Sequence, residues 1–183
     1  MKKAAQADDL GEGVLYASEA CAGLVSRLLI LVIDLFVLLV CGIVLQIIWH
    51  DLLPTDGDPN FGAFWSWGAV SYIYLVLVES SVGTLGFLIT GAKIVNLNGE
   101  KPSILRMTGR LCLWLVGPFN LLIDLLWVTT DRHKQTLRDK LAGTYVVKKG
   151  AVPCGRGRIR AVHYFLFGLS ILFPEVREQP PSS

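Results

Sequence analysis

Apolar positions along this chain fall into three long blocks separated by short polar stretches. The first, LVSRLLILVIDLFVLLVCGIVLQIIW from Leu24 to Trp49, is almost unbroken, with Arg27 at its mouth and Asp34 a third of the way in. As a helix, Leu28 to Trp49 rises ~33 Å, enough to cross a hydrocarbon core of ~30 Å. The second block, Phe61 to Val78, is uncharged and rises ~27 Å, so it predicts a second span with Glu79 at the interface. The third, Leu111 to Thr130, is interrupted by Gly117-Pro118. A full crossing there places Arg132, Lys134, Arg138, Lys140, Lys148 and Lys149 outside, against the positive-inside bias. The pattern therefore predicts a re-entrant or interfacial helical hairpin, roughly Ile104 to Val116 and Phe119 to Thr129. Asn120 and Asp124 are available in it to satisfy backbone groups freed by the Pro.

The intervening stretches carry weaker patterns. Residues 1–20 are polar, mixed in charge and without helical period, which predicts a mobile leader rather than a cleaved signal. The loop HDLLPTDGDPN holds three Asp and no Lys or Arg, and belongs on the outer side. Val82, Leu85, Leu88 and Ile89 recur at helical spacing, fitting a short helix at the cytoplasmic surface. Ala92 to Leu97 reads as a brief strand, and Asn98-Gly99 as a turn. Arg156, Arg158 and Arg160 precede Ala161 to Phe173, which is too short to span and suits the surface of an anionic leaflet.

Composition agrees with a membrane domain: 52% of residues are hydrophobic and only 17% charged, poor for a soluble chain of 183 residues. The net charge of +2 matters less than its distribution. The basic residues cluster in the 80–110 loop and in 131–160, which puts those regions and the N-terminus on the cytoplasmic side. The four Cys show neither CxxC nor Cys/His spacing, so no metal site and no disulfide framework are expected. No GxGxxG, GxSxG or HExxH frame occurs, and the chain is expected to be no enzyme, to need no cofactor and to bind no nucleic acid.

The informative polar residues lie inside the first block. A carboxylate at that depth costs ~2.5 to 3.5 kcal/mol on insertion scales, so Asp34 must face protein or water. Seven helical steps fall only ~20° short of two turns, placing Arg27 and Asp34 on one face, a polar seam for later segments. Asp34 lies ~10 Å deeper than Arg27, too far for a direct ion pair. It is expected either to bind a transported cation or proton, or to accept hydrogen bonds from Thr, Ser or Asn on neighbouring segments.

The order Arg27, Asp34, then Asp139 within LRDKLAGTYVV resembles the RDD family of small membrane proteins, and so do Gly83-Thr84-Leu85-Gly86, KIVNLNGEKPSI and Arg110. The resemblance covers about residues 20–148. It departs at Phe87, where the family usually has Lys, and at Arg138, where a His commonly precedes the Asp. It implies an α-helical integral membrane protein of two transmembrane helices, here with the hairpin and a small cytoplasmic β element, in a bacterial cytoplasmic (plasma) membrane. The organisation expected is a leader (1–20), an RDD-like membrane domain (21–148) and a basic, amphipathic extension (149–183). Asp139 is expected to reach Arg27, with Glu79, Arg110 and Asp124 as secondary candidates. Two function classes remain: part of the transport of ions or small solutes, a cation or proton among them, in a homo-oligomer; or a non-transporting adaptor that binds other membrane proteins.

Overall fold

Residues 24–47 contain no Pro and one Gly, so nothing stops a helix once it starts. The computed structural model describes residues 9–52, 59–115, 124, 127–129, 131, 133–166 and 169–178. In it, helix α1 (Leu24–Ile47) runs on into a π turn, Ile48–Leu52. Helix α2 (Pro59–Tyr72) opens on a Pro, which lacks the N–H that a first turn leaves unused. It passes through a second π turn, Ile73–Val78, into α3 (Glu79–Ser81).

These two runs are antiparallel neighbours. Gln46 Nε2 donates to Asn60 Oδ1 (2.7 Å), Trp49 Nε1 to Ser66 Oγ (3.0 Å) and Trp67 Nε1 to the Leu38 carbonyl (2.9 Å). Glycines admit the indoles: a Cβ on Gly62 would lie 2.5 Å from the Trp49 ring, and one on Gly42 would lie 3.0 Å from Trp67 Nε1. Both runs are long and apolar enough to cross a membrane, over Leu24–Asp51 and Asn60–Thr90. Only 17% and 22% of their most apolar windows are buried within the protein, so most of their Leu, Ile and Phe surface faces outward. A soluble core helix does the reverse, and an outward apolar surface on this scale is suited to lipid.

At one end of the helix pair sits a cap of helices and strands. After a break at Gly83 and Thr84 come α4 (Leu85–Thr90), closed by Gly91 in the left-handed region (φ 64°), and β2 (Ala92–Asn96). Then follow α5 (Ile104–Leu115), α6 (Leu137–Ala142) and β3 (Thr144–Lys148). β2 pairs antiparallel with β3, although nearly fifty residues separate them. Residues 20–22 extend this sheet, with Ala22 N–H donating to Val146 O (2.9 Å) and Lys148 N–H to Ala20 O (2.8 Å).

Because strand side chains alternate, β3 feeds two cores at once. Tyr145 and Val147 join Leu15, Tyr16, Cys21, Val95, Leu97, Ile159 and Val176 in the cap. Val146 joins Ile30, Val76, Phe87, Ile94 and Met107 at the helices. The strand read as brief is thus present, and the Asn98-Gly99 stretch does turn, with Gly99 at φ 85°.

Three expectations need correction. The leader is not mobile throughout: β1 (Asp9–Leu15) pairs with β4 (Gly155–Leu166), which pairs with β5 (Leu169–Glu178) in an antiparallel sheet. The tail is therefore a strand hairpin, and leader and extension form one sheet instead of two separate appendages. Neither stretch was read as a strand because a strand's partner lies far away in sequence, and neither had a hydrophobic alternation strong enough to show alone. The β content is accordingly larger than a small element. The first arm of the expected hairpin is α5; the Gly117-Pro118 break and most of the second arm, Asn120 among it, lie outside the described residues, with Asp124 and 127–129 helical.

Candidate functional site

The geometry centres on Asp139, which a local sequence device places. Thr136 caps α6, its hydroxyl accepting from Asp139 N–H (3.0 Å) while Asp139 Oδ2 accepts from Thr136 N–H (3.1 Å). This reciprocal pair is a capping box with Asp in the Glu position, and it fixes the carboxylate at the first turn, fully buried. Two guanidiniums converge on it: Arg27 Nη1 lies 2.6 Å from Oδ2, and Arg110 Nη1 donates to Oδ1.

The arginines are themselves held. Arg110 also donates to Thr144 Oγ1 (2.8 Å). Arg27 donates through Nη2 to the Lys134 carbonyl (2.7 Å) and through Nε to that of Ala22 (3.2 Å). Lys134 is the one non-Gly residue at positive φ (50°) among those described, a strained turn whose carbonyl is thereby aimed at α1. Gln135 Nε2 donates to Thr144 O (2.8 Å), tying the same loop to β3.

Burial by itself raises the Asp139 pKa, but the Arg27 and Arg110 charges and the Thr136 N–H override it and hold the carboxyl well below its usual range. For Arg110, burial opposes the charge, and the Asp139 and Glu79 carboxylates outweigh it, so its pKa is raised. These three charges act as a clasp, binding α1 to α5 and α6.

Asp34 takes no part in that clasp. It is 7% exposed and accepts three hydrogen bonds: from Tyr74 Oη (2.9 Å), Thr84 Oγ1 (2.6 Å) and the Gly86 N–H (3.0 Å). The hydrogen-bonded alternative set out for it above, with Thr as one donor, is what the structure contains. Gly86 is needed for the approach, since a Cβ there would lie 2.7 Å from the Ile30 carbonyl oxygen. The sequence did not link Thr84, Tyr74 or Gly86 to Asp34; the GTLG run stood out, and nothing local tells which carboxylate it serves.

Glu79 lies 3.9 Å from Arg110 Nη2, and Asp124 is paired with Arg138 through Nε. Between these groups is a cavity of about 120 Å³. Arg27, Asp34, Glu79, Arg110 and Arg138 line its polar side, and Leu75, Phe87 and Met107 are among its apolar walls. Phe87, where the family usually has Lys, contributes a buried ring, and Arg138 supplies a permanent cation where a His would titrate. Among the described residues no cluster of His, Cys, Asp and Glu is arranged to hold a metal.

The family model for the RDD family matches residues 21–143, about two thirds of the chain and the part that carries Arg27, Asp34 and Asp139. Neither a curated protein nor a solved structure matches it.

Proposed function

This chain belongs to the RDD family, and from that premise we propose that it is a non-enzymatic membrane module for the transport of ions or small solutes, with the cavity beside Asp34 and Glu79 as its binding site. The observation that carries this reading is the cavity itself, which places three guanidiniums and two carboxylates against apolar walls beside two candidate spans. Ionisable groups at such a place are costly, and they mark solute or proton pathways more often than they mark plain structure.

Orientation follows from charge. Lys93, Lys101, Arg106, Lys148 and Lys149 lie in the cap or its connections, whereas Asp51 sits at the opposite end of the helix pair. The proposed arrangement therefore has the cap and the N-terminus in the cytoplasm of a bacterial cell, and the cavity opening near the inner face. Two spans enclose no pathway alone, so a homo-oligomer is part of the proposal.

The test is flux in sealed vesicles containing purified protein, read with proton- and cation-sensitive dyes against protein-free vesicles. Leu75→Phe, which narrows the cavity, is expected to slow flux without unfolding the protein. A parent protein that passes neither protons nor cations would sink this reading. One observation favours a second reading: Asp34 and Asp139 are both fully engaged by protein donors. A seam so saturated suits an adaptor whose charges only lock the fold, and absence of flux together with capture of other membrane proteins would favour it.

A further inference from the structure

Three carboxylates border the clasp and the cavity, and they are not equivalent. Asp139 holds two guanidiniums and a backbone N–H. Asp34 uses both oxygens, accepting from Tyr74 and Gly86 on Oδ1 and from Thr84 on Oδ2. Among the described residues Glu79 has a single ion contact, to Arg110 at 3.9 Å, which is beyond hydrogen-bond distance. It nonetheless lies on the wall of the cavity with its side chain only 13% exposed.

The backbone explains why a glutamate is there. In an α-helix residues five apart point about 140° away from each other. Across the π turn Ile73–Val78, however, Glu79 N–H donates to Tyr74 O, an i→i−5 bond that stacks the two positions. Tyr74 thereby reaches Asp34 while Glu79 reaches the cavity, and π turns within helices are frequent at functional sites.

We propose that Glu79 is the proton-exchanging carboxyl of this cavity, with Arg110 as the counter-ion it gains and releases. The proposal deepens the transport reading and rests on it. With the proton on, Glu79 is neutral and Arg110 is left to Asp139 and Thr144. With the proton given up to cavity water, the carboxylate is drawn to Arg110, which lies between the two acids. The other charges facing this space are Arg27 and Asp34 on α1 and Arg138 and Asp139 on α6. Asp139 and Asp124 engage Arg27 and Arg138, whereas Arg110 holds Asp139 and Thr144 through Nη1 and turns Nη2 toward Glu79, so Arg110 is the cation placed to respond.

A hydrophobic carbodiimide tests this on the full-length parent in liposomes, because it modifies only protonated carboxyls reachable from an apolar phase. Mass spectrometry of the peptides is expected to place the adduct on Glu79, forming faster as pH falls, with Asp34 and Asp139 unmodified. In Glu79→Gln the adduct is lost, and in Glu79→Asp it is retained at the same position. An unmodified Glu79, or an adduct placed mainly on Asp34, overturns the inference. Labelling is read without flux, so the two failures separate. A pH-dependent Glu79 adduct in a protein that passes neither protons nor cations upholds this carboxyl and defeats transport, whereas proton flux that persists undiminished in Glu79→Gln does the opposite.

Discussion

Replacing Asp139 with Ala removes the one carboxylate that Arg27 and Arg110 share, leaving two guanidiniums whose side chains are each only 10% exposed. Breaking a buried pair costs about 3–5 kcal/mol, and Asp139→Ala belongs at the upper end because two cations lose their partner and α6 loses half of its capping box. Arg27→Ala belongs near the lower end, about 3 kcal/mol, because Asp139 keeps Arg110 and the Thr136 N–H. Once Asp139 is gone, removing Arg27 relieves an unpaired charge, so the double variant is less damaged than the sum of the singles. A coupling of about 2–3 kcal/mol is expected, near the top of the range for residues in contact. Reversible unfolding in mixed micelles, followed by circular dichroism, measures all four corners of the cycle. Because the folded Asp139 pKa is lowered, its contribution is present above the ordinary carboxyl value of about 4 and is lost only as pH falls through the lower folded value. The parent-to-variant difference should therefore hold between neutral pH and about pH 5. Additive effects, with coupling below about 0.5 kcal/mol, would refute the clasp.

Asp34→Asn keeps an acceptor for Tyr74 and Gly86 while Thr84 turns to accept from the new amide, so a loss of only about 1 kcal/mol is expected. Asp34→Ala strands three donors at about 1–3 kcal/mol each, and unfolding midpoints should separate the two variants clearly. Gly86→Ala drives a Cβ into the Ile30 backbone and should lower stability by more than the about 1–3 kcal/mol of ordinary overpacking, with α4 displaced from α1; an unchanged midpoint would contradict the close approach. Cys21 is 1% exposed and its thiol is pushed up to about 11 chiefly by burial, so alkylation at neutral pH should leave it intact while exposed Cys154 reacts. In sealed cells an impermeant maleimide should spare Cys154 as well if the cap is cytoplasmic, and ready labelling from outside would reverse the orientation.

Much of the membrane domain was legible because its causes are local in the chain. Uninterrupted apolar length gave away α1 and the run from α2 to α3, and the cost of charge in lipid singled out Arg27 and Asp34. The pairing of Arg27 with Asp139 was reachable because the motif order resembled a known family. The division of labour among the acids was not legible. Asp34 and Asp139 look alike in sequence, yet one is served by Tyr74, Thr84 and Gly86 from α2 to α4, and the other by arginines from α1 and α5.

The sequence by itself determined which segments are apolar enough for a membrane, where chain breaks fall and that buried charge needs partners, since these depend on transfer free energy and local backbone preference. Only the tertiary structure decided that residues 9–15, 155–166 and 169–178 form one sheet, that a π turn aligns Tyr74 with Glu79, and that Glu79 meets Arg110 only at 3.9 Å. Strand pairing, helix register and the satisfaction of a charge are properties of groups distant in the chain, and no window of sequence contains both partners.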